Sequence, residues 1–259
     1  MTPRVVRSLS ARLEPWNRRA REDAVRRLTA ISSSQWRELE RIFPGLGRDA
    51  GRRAARARRR MQALSSHALE SGRWDPPGAA ESPDRTPTVY VTAHIGSIQL
   101  LRYVLRARGV AAAAVLAPYN FDRPGAARDD ERFDRRFPIP FPHVLSSAAP
   151  HRLRRALKTG SLIAAADLPA REGIDTPLLG GSVRLDPRPF RLARLAGRPC
   201  RAAFLTLPAR LWRLTLGPEL PSDPDAAMRS FAGLYQEVAG AAPLDLDGLF
   251  YWNLSRGPA

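Results

Sequence analysis

The sequence predicts an α/β protein with a central, mostly parallel mixed sheet, flanking helices and a helical segment at the amino terminus. From Thr88 onward, short β-branched or apolar runs alternate with stretches of helical spacing, which is typical of a sheet with packed crossover helices. Before that point the pattern is helical and rich in arginine. The chain has 259 residues and can bury a sizeable core, so we expect one main domain.

Residues 1–75 are predicted to form a basic helical segment that packs on the main domain or extends it. Apolar side chains recur with helical spacing within residues 11–72, and Pro44-Gly45 interrupts them. The stretch 76–87 contains Pro76-Pro77-Gly78 and is typical of a linker or loop. It separates the segment from residues 88–259, the predicted α/β domain.

Within this domain the patterns predict five strands and five helices. The strands are expected at 89–92, 112–117, 162–166, 200–207 and 211–216, and the helices at 97–108, 126–137, 149–158, 187–196 and 225–239. Three of the helices end at a glycine, namely Gly109, Gly160 and Gly197. Residues 171–187 are predicted as a loop with one short strand.

The chain is strongly basic, with 42 basic against 25 acidic residues and a net charge of +17. Residues 1–73 hold 18 arginines and 7 acidic residues, so this part alone has a charge of +11. A positive surface attracts nucleic acid, anionic lipid or an acidic carrier protein. No recognisable nucleic-acid-binding module accompanies the arginines, so we expect an anionic membrane surface and no nucleic acid as partner.

Several functional classes are excluded by missing motifs. Cys200 is the only cysteine, so neither a disulfide framework nor a multi-cysteine zinc site is possible, and no metal site is expected. The glycine-rich loops of nucleotide-binding proteins and the Gly-x-Ser-x-Gly elbow of hydrolases are absent. No apolar run reaches the length of a signal peptide or a membrane span, so we expect a cytoplasmic location.

His94 is the best candidate for chemistry. It follows the predicted strand at 89–92 and precedes the helix at 97–108, whose positive amino end would favour a neutral imidazole that can act as a base. The alternative is a histidine that only makes a structural hydrogen bond.

The order of several segments resembles the lipid A biosynthesis lauroyl/myristoyl acyltransferases of the lysophospholipid acyltransferase superfamily. Their motif His-x-Gly-Asn-Trp-Glu corresponds to His94-Ile-Gly96-Ser97-Ile98-Gln99 here. Further similar segments are Ile42-Phe43-Pro44, Leu153 to Asp167, Leu178-Leu179-Gly180 where the family has Phe-Phe-Gly-Arg, Pro189 to Pro199, and Asp247 to Trp252. The resemblance runs nearly end to end and implies a lysophospholipid-acyltransferase-like fold.

It also implies a peripheral membrane acyltransferase at the inner membrane. Such an enzyme transfers a fatty acyl group from acyl-carrier protein or acyl-coenzyme A to a hydroxyl, or an amine, of a lipid or glycolipid, without a cofactor. By the resemblance, His94 is the general base that deprotonates the acceptor. The resemblance indicates no oligomeric state.

The acid that orients the histidine in the family is replaced by Gln99, and three explanations remain open. The protein is a non-catalytic relative that binds lipid or acyl groups; another carboxylate, with Asp167 the first choice, supplies the charge; or a more nucleophilic acceptor needs less help.

The predicted substrate-binding residues lie around this motif and further along the chain. They are Gly96, Ser97, Arg102, Arg171 and Gly180. Arg102 shares a helical face with Gln99 and would bind an anionic head group or form the solvent face. Arg171, four residues after Asp167, would contact a phosphate or carrier, or be a solvated loop arginine.

Overall fold

A computed structural model of the chain describes residues 40–46, 53, 86–96, 98–116, 144–146, 150–168, 170, 172–207 and 212–243. The strands are β1 (Val89–Thr92), β2 (Ala112–Leu116), β3 (Val144–Ser146), β4 (Ser161–Ala165), β5 (Ile174–Leu178), β6 (Gly181–Leu185), β7 (Cys200–Thr206) and β8 (Arg213–Glu219). The helices are α1 (Ile98–Ala107), α2 (Pro150–Ala156), α3 (Arg188–Ala196) and α4 (Pro224–Ala241), and a short 3-10 helix spans Pro44–Leu46.

Six strands form one sheet in the order β3-β2-β4-β1-β7-β8. The first five are mutually parallel, and β8 runs antiparallel to β7 at the edge. The predicted α/β class with a mixed, mostly parallel sheet is therefore confirmed. Strands β5 and β6 pair with each other in a separate antiparallel hairpin.

Helices cover both faces of the sheet and create two apolar layers. On one face, Leu101 and Leu105 of α1 pack with Tyr90 and Ile163 from the strands. On the other face, α2, α3, α4 and the hairpin pack against alternate strand residues, such as Val91. All four residues of β1 are buried, because a parallel strand with both faces covered has no solvent side.

The connections that leave β1 and β4 run in opposite directions across the sheet. β1 leads through α1 to β2, which lies beyond β4, whereas β4 leads through the hairpin and α3 to β7, which lies beyond β1. Right-handed crossovers in opposite directions put α1 and α3 on opposite faces. The carboxyl ends of β1 and β4 therefore lie where the two connections diverge, and ligands usually bind at such positions in open α/β sheets.

The prediction of a loop with one short strand over residues 171–187 is wrong, because this stretch is the β5–β6 hairpin. The two-residue turn between the strands has a positive φ at both positions, 48° at Leu179 and 80° at Gly180. Asn-Gly or Asp-Gly is the usual sequence signal for such a turn, and leucine gives none. Pro177 inside β5 also argued against a strand.

The remaining predicted elements differ from the structure mainly at their ends. Strand β3 was not predicted, because three residues are too few to show a periodicity. Helix α2 ends at Ala156 rather than at 158, and α4 extends from 224 to 241. Gly197 does end α3, in the left-handed conformation with φ 58°.

Several predictions concern residues outside the described part of the chain. They are most of the amino-terminal helices, the helix at 126–137, most of the linker at 76–87, and the segment around Trp252. Within the described residues, no helix has both the length and the apolar character needed to cross a membrane.

Candidate active site

His94 and Asp167 are brought together by the register of two neighbouring strands. In the parallel pair β1–β4, Thr92 lies beside Ala165, so the residues two positions further along, His94 and Asp167, leave the sheet side by side. The ladder continues one step past β4, since the amide of Ala166 donates to the carbonyl of Thr92 at 2.8 Å. Both residues therefore lie just beyond the carboxyl ends of β1 and β4.

Two hydrogen bonds join the two residues. The backbone amide of His94 donates to Oδ2 of Asp167 at 2.7 Å, and Nδ1 of the imidazole lies 2.7 Å from Oδ1. Because an ionised carboxylate can only accept, Nδ1 carries the proton and donates. In this tautomer the lone pair is on Nε2, so Nε2 is the ring nitrogen that can accept a proton.

The environment of the pair suits acid–base chemistry. The Asp167 side chain is only 1% exposed, whereas that of His94 is 16% exposed. Asp167 is thus shielded from water, which strengthens its interaction with an imidazolium, while the histidine ring is still partly exposed to solvent.

Gly96 turns the chain from β1 into α1 and has a steric role. Its φ is 66°, and a Cβ at this position would lie 1.8 Å from the carbonyl oxygen of Leu205. Gly96 forms an isolated parallel bridge with Leu205 of β7, so the backbone passes too close for any side chain. The predicted contact of Gly96 with substrate stays a prediction.

Tyr235 of α4 reaches the same carboxylate from beneath the sheet. Its hydroxyl lies 3.5 Å from Oδ2 of Asp167, and the residue is 1% exposed. Burial, followed by the charge and hydrogen bond of Asp167, raises the pKa of Tyr235 well above its usual value. The hydroxyl therefore stays protonated and donates to the carboxylate.

Tyr235 is not among the site residues that the sequence predicts. The apolar face predicted for its helix contains Met228, Phe231, Leu234 and Val238. In the structure Tyr235 is fully buried, while Leu234 is only half-buried. The spacing of four from Phe231 was the available signal, but it cannot show that the polar end of the ring meets Asp167.

The other predicted site residues are placed as follows. Gln99 lies in the first turn of α1, and its side chain is outside the description. Arg102 is 3% exposed, so the alternative that it forms the solvent face is wrong; its contact with an anionic head group stays a prediction.

Gly180 lies at the exposed tip of the hairpin, against Pro44. Its predicted binding role stays a prediction. Ser97 and Arg171 lie outside the described residues.

Neither models of known protein families nor the curated proteins give a match to this chain. The chemistry of the site therefore has to be inferred from its geometry.

The arrangement is that of an oriented general base. A hydroxyl, amine or water at Nε2 of His94 can give up its proton, and Asp167 stabilises the imidazolium that forms.

Cys200 does not take part as a nucleophile, because it lies beside Val89 at the opposite end of β1. Burial, together with the charge of Glu219, also raises the pKa of its thiol to about 12. Among the described residues, no cluster of three or more histidine, cysteine or acidic side chains could hold a metal ion.

Proposed function

We propose that the protein is an acyltransferase that moves a fatty acyl group from a thioester donor to a hydroxyl, or an amine, of a lipid or glycolipid. The observation that supports this most directly is the contact of His94 Nδ1 with the buried carboxylate of Asp167, at the carboxyl ends of β1 and β4. The order of segments that resembles the lysophospholipid acyltransferases suggests the acyl chemistry.

In the proposed reaction, Nε2 of His94 takes the proton of the acceptor hydroxyl as its oxygen attacks the thioester carbonyl. The tetrahedral intermediate then collapses, the carbon–sulfur bond breaks, and the imidazolium returns the proton to the departing thiolate. Asp167 keeps the ring in the tautomer that exposes Nε2 and offsets the transient positive charge. No protein nucleophile or cofactor is needed in this sequence of steps.

The position of Asp167 supports one of the three explanations for Gln99. In the family that the chain resembles, the acid follows the histidine by five residues, in the next helix. Here a carboxylate from the adjacent strand β4 meets Nδ1 instead. A charged partner is therefore available to His94 even though residue 99 is an amide.

The positive charge of α2 and of the residues after it favours a donor or acceptor that carries negative charge. Four basic side chains are exposed within seven residues, namely Arg152, Arg154, Arg155 and Lys158. Within the described part of the chain none of them forms an ion pair. Near the hairpin and α3, in contrast, the arginines pair with acids in the bridges Arg184–Asp175, Arg188–Asp186, Arg191–Glu172 and Arg194–Asp223.

Arg152 lies in the first turn of α2, which follows β3 at the carboxyl ends of the strands, whereas Arg154 and Arg155 lie in the last turn and Lys158 lies just before β4. An acidic carrier, the phosphates of coenzyme A or an anionic lipid would be attracted to this exposed basic surface.

The proposal is tested with purified protein, acyl-carrier-protein and acyl-coenzyme A donors, and a lipid extract as acceptor. Release of free thiol and formation of acylated lipid should both occur, and both should be lost in His94→Ala. Asp167→Asn keeps the shape of the site but removes the charge, and the equivalent change in serine proteases lowers the rate by about 10⁴. We expect a decrease of roughly 10²–10⁴ in kcat here.

Asp186→Asn is the matched control, because Asp186 is another buried carboxylate and its own amide donates to the carbonyl of Ala166. It should lower the melting temperature through loss of its bonds to Arg188 and leave kcat within about threefold. Thiol release that is equal in the wild type and His94→Ala would contradict the proposal. Release without acylated lipid would indicate hydrolysis instead.

A further inference from the structure

Tyr235 is a polar residue on an otherwise apolar face of α4. Its buried neighbours on the helix are Met228, Phe231, Val238 and Ala239. Burying a hydroxyl without a partner costs about 1–3 kcal/mol, so phenylalanine would be the simpler residue at this position unless the hydroxyl is used. Its hydrogen-bond partner is Asp167.

The ring of Tyr235 is held by two other aromatic rings. It stacks on Phe204 of β7 with ring centroids 6.1 Å apart and an interplanar angle of 11°, and it contacts Phe231 in a tilted arrangement, with centroids 6.0 Å apart and an angle of 33°. On the exposed side, Gln236 Nε2 donates to the carbonyl of Pro177 at 2.7 Å and ties α4 to the hairpin. The direction in which the hydroxyl points is therefore set by packing.

The carboxylate of Asp167 divides its two oxygens between different donors. Oδ1 accepts from the imidazole, whereas Oδ2 accepts from the amide of His94 and faces the hydroxyl of Tyr235. A second donor on Oδ2 resists rotation of the carboxylate and so keeps Oδ1 aimed at Nδ1. At 3.5 Å the bond is longer than the usual 2.5–3.0 Å for two oxygens, which implies a modest effect.

We propose that Tyr235 is a positioning residue of this site, whose hydroxyl holds Asp167 in the orientation that fixes the tautomer and the direction of the His94 ring. The role acts through Asp167, since the tyrosine is buried in the apolar layer beneath the sheet. Its effect on the reaction rate rests on the proposed function, whereas its effect on the imidazole does not.

The test is Tyr235→Phe, which keeps the aromatic stack and removes only the hydroxyl. The first measurement is nitrogen-15 NMR of the His94 imidazole, together with the solvent exchange rate of its Nδ1 proton. We expect the neutral ring to shift from a single tautomer to a mixture, and the proton to exchange at least about fivefold faster. With substrates, kcat should fall about three- to tenfold while KM stays within twofold.

Tyr90→Phe is the matched control, because Tyr90 is also 1% exposed but packs in the layer beneath α1 on the opposite face. It loses a buried hydroxyl and should leave the His94 tautomer and the exchange rate unchanged. Thermal unfolding of both variants shows whether each one is folded. The same NMR measurement on the wild type gives the reference for the His94 imidazole.

An unchanged tautomer and exchange rate in Tyr235→Phe would overturn the positioning role, whatever the activity. If the tautomer or the exchange rate of His94 changes in Tyr235→Phe but the wild type turns over none of the donors, the positioning role is supported and the proposed acyltransferase activity is contradicted. An equal change in Tyr90→Phe would show a general effect of lost core hydroxyls and would also overturn the proposal.

Discussion

Asp167 changes what is expected of residue 99. The sequence motif makes Gln99 the missing partner of His94, but Nδ1 already donates to Asp167 at 2.7 Å, and a ring nitrogen has one proton to give. The amide at residue 99 therefore need not supply the charge that stabilises the imidazolium.

We predict that Gln99→Glu changes kcat/KM by less than about threefold, because the position beside Nδ1 is occupied. Steady-state kinetics of thiol release checks this, with Gln99→Ala as the size control. An increase of more than tenfold in Gln99→Glu would mean that residue 99 reaches the imidazole and that Asp167 is not its main partner.

Among individual residues, the sequence pattern identified His94 and Asp167, because each of them lies at the end of a predicted strand. It could not identify Tyr235. The tyrosine is 68 residues from Asp167 in the chain, and only the packing of α4 under the sheet brings the two together.

Among the elements, the short segment before the α/β domain is tied to the hairpin. The amide of Gly45 donates to the carbonyl of Leu179 at 2.9 Å, and a Cβ on Gly181 would lie 2.5 Å from the carbonyl oxygen of Ile42. Phe43 is completely buried in the layer that also contains Phe190 and Phe231. Phe43 thus belongs to the core of the domain although more than 40 residues separate it from β1.

Phe43→Ala should lower the free energy of unfolding by about 3–5 kcal/mol, because it empties a fully buried aromatic site. Urea unfolding measured by tryptophan fluorescence and circular dichroism tests this. Leu195→Ala is the control, since Leu195 is 70% exposed on α3 and its loss should cost less than about 0.5 kcal/mol. Equal midpoints for Phe43→Ala and the wild type would show that the segment is not part of the cooperative core.

Element types were predictable where a pattern was long enough. The strand and helix at β1 and α1 have clear periodicity, and both were predicted within one residue of their observed bounds. The hairpin was missed because its turn uses Leu179 at a positive φ, which the surrounding contacts with Pro44 and Gly45 make tolerable.

At the scale of the whole molecule, the buried thiol of Cys200 makes the free energy of unfolding depend on pH in the alkaline range. The pKa of its thiol is raised from its ordinary value of 9.0 to about 12 by burial and by Glu219. The folded state holds this proton more tightly than the unfolded state does. The contribution is fully present below pH 9 and is lost as pH rises towards 12.

We predict that between pH 9 and 11 the wild type loses up to about 1.4 kcal/mol more per pH unit than Cys200→Ala does. Urea midpoints measured at half-unit steps from pH 8 to 11 check this, and the comparison uses the slopes because the alanine also leaves a small cavity. Parallel slopes in the two proteins would show that Cys200 titrates normally in the folded state.

The sequence by itself determined the class of this fold and the two candidates His94 and Asp167. Alternation of apolar runs and helical spacing is local information, so it indicates strands, helices and the strand end that carries His94. Contacts between distant parts of the chain set the strand order and the register that places Asp167 beside His94. Such contacts also bring Tyr235 to Asp167 and Phe43 into the core. They arise from the packing of whole elements on a twisted sheet, so no local pattern contains them and only the tertiary structure decides them.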